Sequence, residues 1–157
     1  MRIIYTFIFL LAVTFFSFPL KAEDSVRLIP QPAEIRMQSG TLTLPGSVGI
    51  SYSPVLNTEA ALLSKYLQES KFATKLYSGK SGAMIQLQLS QTILPAHKEG
   101  YILQVSDRNI QIKSSSSAGI FYVIQTLRQL IGKYPDRKLP QQTITDYPNF
   151  SWRAFML

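Results

Sequence analysis

The chain of 157 residues has no cysteine and a single histidine. Without cysteine there are no disulfides and no thiolate ligands, so any folded domain is held by packing alone. Without a second histidine, His97 builds neither a zinc cluster nor a nucleophile triad. Flanked by Pro95, Ala96 and Lys98, it reads as a surface-loop side chain. Acidic residues number only 9, and no two of them stand out as an acid and base pair. Gly79-Lys80-Ser81 has the ending of a phosphate-binding loop, but the glycine required upstream is missing. The basic residues are scattered, with Arg137-Lys138 the only adjacent pair, so no stripe tracks a phosphate backbone and nucleic acid is not an expected partner. No feature implies a metal or other cofactor.

One long apolar run is present, and it comes first. Arg2 precedes an almost unbroken apolar stretch over residues 3–18, then Pro19, Leu20-Lys21-Ala22 and the acidic Glu23-Asp24. That order of parts predicts a secretory signal peptide over residues 1–22, cleaved after Ala22. The alternative is an uncleaved anchor, for which the run is short against the roughly 20 residues of a bilayer span. Cleavage leaves no stable membrane span and predicts a periplasmic or secreted product. It also leaves 135 residues, which suit one domain. The net charge of +7 falls to +5 once Arg2 and Lys21 are gone, with 14 basic residues against 9 acidic.

The mature chain opens extended, with Pro30 and Pro32 fixing the backbone. Ile35 and Met37, then Leu42 and Leu44, alternate with polar residues on either side of Ser39-Gly40, which predicts a hairpin. Residues 48–52 form another strand. A helix is expected from Asn57 or Thr58, with Thr58 as its cap and Leu62, Leu63, Tyr66 and Leu67 as its apolar stripe, fading near Ser70. Residues 78–82 read as a loop. Ile85, Leu87 and Leu89 alternate with polar residues in the clearest strand. Residues 101–105 and 110–113 pair across a tight turn, and Ser114 to Ser117 offer cap hydroxyls. Ile120, Val123, Ile124, Leu127, Leu130 and Ile131 mark a second amphipathic helix, with Gly132 placed to end it in the left-handed conformation. A polar connector over residues 133–142 precedes a strand at 143–145. The fold class is α+β: a largely antiparallel sheet with two helices packed on one face.

Several words carry a family resemblance: Glu99-Gly100-Tyr101, Ala118-Gly119-Ile120-Phe121-Tyr122, and Gln125-Thr126-Leu127-Arg128-Gln129-Leu130, together with Ile29-Pro30-Gln31-Pro32 and Asp146-Tyr147-Pro148. In this order and at nearly this spacing they resemble the small domain that precedes the barrel in family-20 glycoside hydrolases, which are exo-acting β-N-acetylhexosaminidases. Gly119 allows the helix start to lie close on the sheet, and Gln125 and Gln129 are placed to pair with backbone at the interface to a following domain.

The resemblance implies three parts: a leader (1–22), a small non-catalytic α+β domain (23–146) and the first strand of a (β/α)8 barrel (147–157). It implies that Arg153, in the run Phe150-Ser151-Trp152-Arg153-Ala154-Phe155, binds hydroxyls of a terminal N-acetylhexosamine, glucosamine- or galactosamine-based. A guanidinium suits this because its planar fork of donors fixes two oxygens at once; pairing with a carboxylate at the domain junction is the alternative role. The implied mechanism is substrate-assisted, with an Asp-Glu pair expected beyond Leu157. No residue of these 157 is then catalytic. The chain reads as the front part of a longer hydrolase, with glycans as partners of the whole and the barrel as the intramolecular partner of this part. The competing reading is a free-standing secreted binding module with the same fold. Asn149-Phe150-Ser151 also forms a glycosylation sequon, a pattern common by chance. Without a barrel to pack on, Phe150, Trp152, Phe155, Met156 and Leu157 are expected to make a sticky tail.

Overall fold

A computed structural model describes residues 27–91 and 97–148. The leader, Arg153 and the predicted barrel strand lie outside the described residues. The elements are β1 (Glu34–Thr43), β2 (Ser47–Tyr52), α1 (Asn57–Glu69), β3 (Ala73–Ser78), β4 (Ile85–Leu89), β5 (Tyr101–Val105), β6 (Ile110–Ser114), α2 (Ser117–Lys133) and β7 (Lys138–Asp146). The strands form one sheet in the order β1-β7-β5-β6-β4-β2-β3. The helices contact each other and the inner face of the sheet, so the expected α+β layering is present.

Three of the six strand pairings are antiparallel and three are parallel. The largely antiparallel sheet expected from sequence therefore describes only the half containing β1, β7, β5 and β6. In the other half, α1 carries the chain back so that β3 runs parallel to β2. A short loop over residues 79–84 then steps across β2 to β4. Gly79 and Gly82 supply positive φ angles of 66° and 87° for that step, which glycine adopts without steric penalty.

The core follows the apolar periodicity. Ala60, Leu63 and Leu67 of α1 are buried, as are all six stripe residues of α2. They meet Val48, Ile50, Ile85, Leu87, Leu103, Ile110, Ile112 and Ile144 from the strands. Ser116 caps α2 through its hydroxyl, which accepts the Gly119 N–H.

Other local expectations are corrected. The predicted hairpin around Gly40 is one strand, β1, whose two halves both pair with β7 across a register shift. Gly40 has φ 110°, and opposite the shift Pro140 has no N–H to offer the ladder. Hydrogen bonding to a long partner strand therefore takes the place of a turn. For the same reason β7 begins at Lys138, inside the predicted connector. Strand β3 was not expected: its residues are mostly exposed and it lies at the sheet edge, so its order comes from pairing with β2 rather than from an apolar pattern. Thr58 is not the cap of α1, because a 3-10 turn over Pro54–Leu56 runs directly into the helix. Gly132 stays helical, and the left-handed residue past α2 is Arg137, at φ 64°.

Two substitutions test this packing. A Cβ on Gly119 would lie 2.0 Å from Ser114 Oγ and 2.7 Å from the Gly100 carbonyl oxygen. Gly119→Ala is expected to destabilise by about 1–3 kcal/mol through overpacking, outweighing the gain of about 1 kcal/mol in helix propensity; a urea midpoint unchanged or raised would refute the close approach. Gln142 is fully buried with Oε1 unpartnered among the described residues, a state that costs about 1–3 kcal/mol. Gln142→Leu should raise the midpoint by an amount worth roughly 1 kcal/mol, whereas a clear loss would mean the amide is satisfied.

Candidate functional site

Of the residues singled out from sequence, Arg153 lies outside the described residues, as does the sequon at Asn149. His97 is described and exposed; its ring stacks on Tyr147, with centroids 5.7 Å apart and planes 2° apart. Lys80 sits on an exposed loop between two strands, whereas a phosphate loop must open a helix. Among the described residues no group of three or more His, Cys, Asp or Glu is placed to hold a metal ion.

The built polar cluster lies where β5 begins, β7 ends and α2 crosses them. Register sets Tyr101 opposite Asp146, and the close approach at Gly119 brings α2 within reach. Tyr101 Oη and Thr126 Oγ1 share a buried hydrogen bond of 2.6 Å. The phenol also donates to Asp146 Oδ2 at 3.3 Å. The second carboxylate oxygen, Oδ1, accepts the Ala33 N–H at 3.1 Å. One helical turn after Thr126, Gln129 grips the backbone of Ile29 at two points, accepting its N–H at 3.0 Å and donating to its carbonyl at 2.7 Å. Lys133 donates to the Arg27 carbonyl.

The proline-bearing segment 29–33 joins no strand, so its peptide groups need side-chain partners. Gln129 and Asp146 supply them, and the start of the domain is thereby fastened to its exit at Tyr147. This corrects the expectation for the glutamines: Gln129 pairs with the domain's own opening segment. Gln125 Nε2 is buried with no partner among the described residues, beside a cavity of about 300 Å³ walled by Ile29, Tyr101, Tyr122, Asp146, Tyr147 and Pro148. Ile29, Phe121, Tyr122 and Tyr147 leave large apolar surfaces exposed.

Burial, reinforced by the charge of Asp146, pushes the Tyr101 phenol well above its ordinary range, although its bond with Thr126 opposes the shift. The hydroxyl therefore remains a proton-bearing donor at neutral pH. Both Asp146 oxygens are engaged. The arrangement positions chain segments and carries no acid and base pair. Sequence reasoning missed this cluster, although its members fall inside the recognised words, because their meeting depends on sheet order and helix placement.

The raised phenol has a consequence at high pH. The unfolded chain loses its Tyr101 proton near pH 10 while the folded chain retains it, so this contribution to stability is complete below that pH and declines above it. Tyr101→Phe should be the less stable protein at pH 8, and its deficit should shrink as pH rises above about 10. A deficit independent of pH in paired unfolding curves would contradict the assignment.

The model for glycosyl hydrolase family 20, domain 2, matches residues 25–147. A beta-N-acetylhexosaminidase from Cellulomonas fimi is 29% identical over 140 residues, covering 84% of this chain and 28% of the relative. A solved beta-N-acetylhexosaminidase from Bacteroides fragilis superposes with a TM-score of 0.67 at 25% identity, covering 80% of this chain and 25% of that one. A family-20 exo-beta-N-acetylglucosaminidase from Vibrio harveyi, solved with N-acetylglucosamine, gives 0.66 at 26% identity, covering 80% and 20%. The chain thus spans about a quarter of the length of these relatives. With the match running through both the α2 words and the strands they pack on, the chain belongs to glycosyl hydrolase family 20, and residues 25–147 are its domain 2.

Proposed function

We propose that this chain is the leader and supporting domain of an exported exo-β-N-acetylhexosaminidase that removes terminal N-acetylhexosamine from glycans. The observation that carries the supporting role is the apolar end formed by Ile29, Tyr122 and Tyr147 beside the Gln125 amide nitrogen, which has no partner among the described residues. Apolar and aromatic surface around a buried, unmatched donor suits contact with a second domain that offers a carbonyl. The relatives' names support the activity: they are hexosaminidases, and the Vibrio harveyi enzyme was solved with N-acetylglucosamine. The apolar leader supports export to the periplasm or beyond.

In this reading the barrel packs against the helical side of the domain, and Arg153 reaches the sugar hydroxyls from the first barrel strand. The acid and base groups belong to the barrel, so the chain of 157 residues alone hydrolyses nothing. A free-standing binding module is the competing reading.

A chromogenic N-acetyl-β-glucosaminide separates these. The isolated chain should give no turnover, and the gene product continuing past Leu157 should be active. In that longer product Arg153→Ala is expected to lower kcat/KM by roughly tenfold to a hundredfold, the loss of a charge-assisted hydrogen bond or two. Turnover by the isolated chain, or an Arg153→Ala enzyme with unchanged kcat/KM, overturns the proposal.

A further inference from the structure

The cavity at the domain exit has walls that are already fixed. They come from three separate parts of the chain: Ile29 and Pro30, Tyr122 and Gln125 of α2, and Tyr147 and Pro148. Gln129 holds Ile29 through two backbone bonds, Asp146 holds Ala33, and His97 stacks on Tyr147. The volume of about 300 Å³ is ample for one aromatic ring, since an apolar cavity of about 150 Å³ already accepts benzene. The polar groups at the walls are largely committed. Both Asp146 oxygens and both polar atoms of the Gln129 side chain are engaged, and Glu99 has a partner as well. The surface left over is apolar or aromatic, with Ile29 79%, Tyr122 38% and Tyr147 37% exposed. Beside it, Gln125 Nε2 is buried with no partner among the described residues.

We infer that this cavity is the socket for Phe150 of the same chain, whose ring enters beside Ile29 and Tyr122 while a neighbouring peptide carbonyl accepts a proton of the Gln125 amide. Residues 149–157 lie outside the described residues, and Phe150 is the second of them. The reach is short. Pro148 is itself a wall, and two extended residues span at most about 7 Å. Side chains two apart on an extended chain fall on one side, so the direction that brings Pro148 to the cavity brings Phe150 to it. Its neighbours fit less well: Asn149 and Ser151 are polar, and Trp152 lies four residues past the wall, up to about 14 Å away. A sugar or other hydroxylated ligand would meet acceptors that are already taken. An aromatic ring set against Ile29 and two tyrosines instead removes apolar surface from water on both sides. An extended chain that turns Phe150 inward also turns Arg153, three residues on, outward. The socket thereby sets which way the first barrel strand faces, and this consequence alone rests on the function proposed above.

Nuclear Overhauser contacts in the isotope-labelled 157-residue chain test the inference. Cross-peaks are expected between the Phe150 ring and the side chains of Ile29 and Tyr122, with relative intensities independent of protein concentration. Phe150→Ala should remove them and lower the folding equilibrium constant, read by urea titration, roughly tenfold to a hundredfold, the worth of burying one such side chain. Trp152→Ala should leave the cross-peaks and the constant as in the parent. The cross-peaks are read on the unsubstituted chain, so they decide even where a variant fails to fold. A folded chain without them overturns the inference. So do cross-peaks that grow with concentration, which would put the tail of a second copy in the cavity. Equal losses of stability from Phe150→Ala and Trp152→Ala overturn it as well, since they would report a tail that adheres without a socket. No substrate is involved, so failure here leaves the activity assay untouched, and failure of that assay leaves the socket standing.

Discussion

Helix α2 lies so close to the ends of β5 and β6 that no side chain fits at Gly119, where Ser114 Oγ and the Gly100 carbonyl occupy the space. Much of the structure depends on that approach. Ser114 Oγ donates to the Gly100 carbonyl at 2.7 Å beneath the helix, satisfying a buried polar pair that the contact would otherwise strand. The same closeness seats the six buried stripe residues of α2 on the sheet and brings Thr126 onto Tyr101. From Tyr101 the chain of bonds continues through Asp146 to Ala33, and a turn further along α2 Gln129 holds Ile29. One missing Cβ thus links helix placement to the fastening of both ends of the domain.

The two faces of the sheet follow from this placement. The inner face is committed to the helices and is almost wholly apolar. The outer face, uncovered among the described residues except where the 79–84 loop crosses it, is free to be polar, and its register brings like side chains into line. This domain therefore offers two distinct surfaces: an apolar end at Ile29, Tyr122 and Tyr147, and an outer face that carries Gln104, Gln111 and Gln86 together with Arg36, Lys75 and Lys113. They differ in chemistry because one is an edge where chain segments converge and the other is a pleated plane with regular spacing.

Legibility from sequence tracked apolar periodicity. Helix α2 and strands β5 and β6 were readable because each buries one full face, so period and burial agree; β4 follows the same period with Ile85 and Leu87 buried and Leu89 exposed. Strand β3 was not, since an edge strand with exposed side chains carries no such signal, and its partner β2 is separated from it by a helix. Strand β1 was misread as a hairpin because Ser39-Gly40 has the composition of a turn whether the chain reverses or only bulges. At the junction, Gln129 was recognised as an interfacial amide, but its partner Ile29 lies 100 residues away, a distance no local pattern spans.

The sequence by itself determined the α+β class, the packed stripes, the absence of thiol and multi-histidine chemistry, and the words that mark family 20. These depend on residue identity and short-range spacing, which a one-dimensional string records. Only the tertiary structure decided the parallel half of the sheet, the Tyr101–Thr126–Asp146 cluster and the grip on residues 29–33. Each of these arises where strands distant in sequence are set side by side, and strand order and register are properties of the assembled sheet rather than of any one segment.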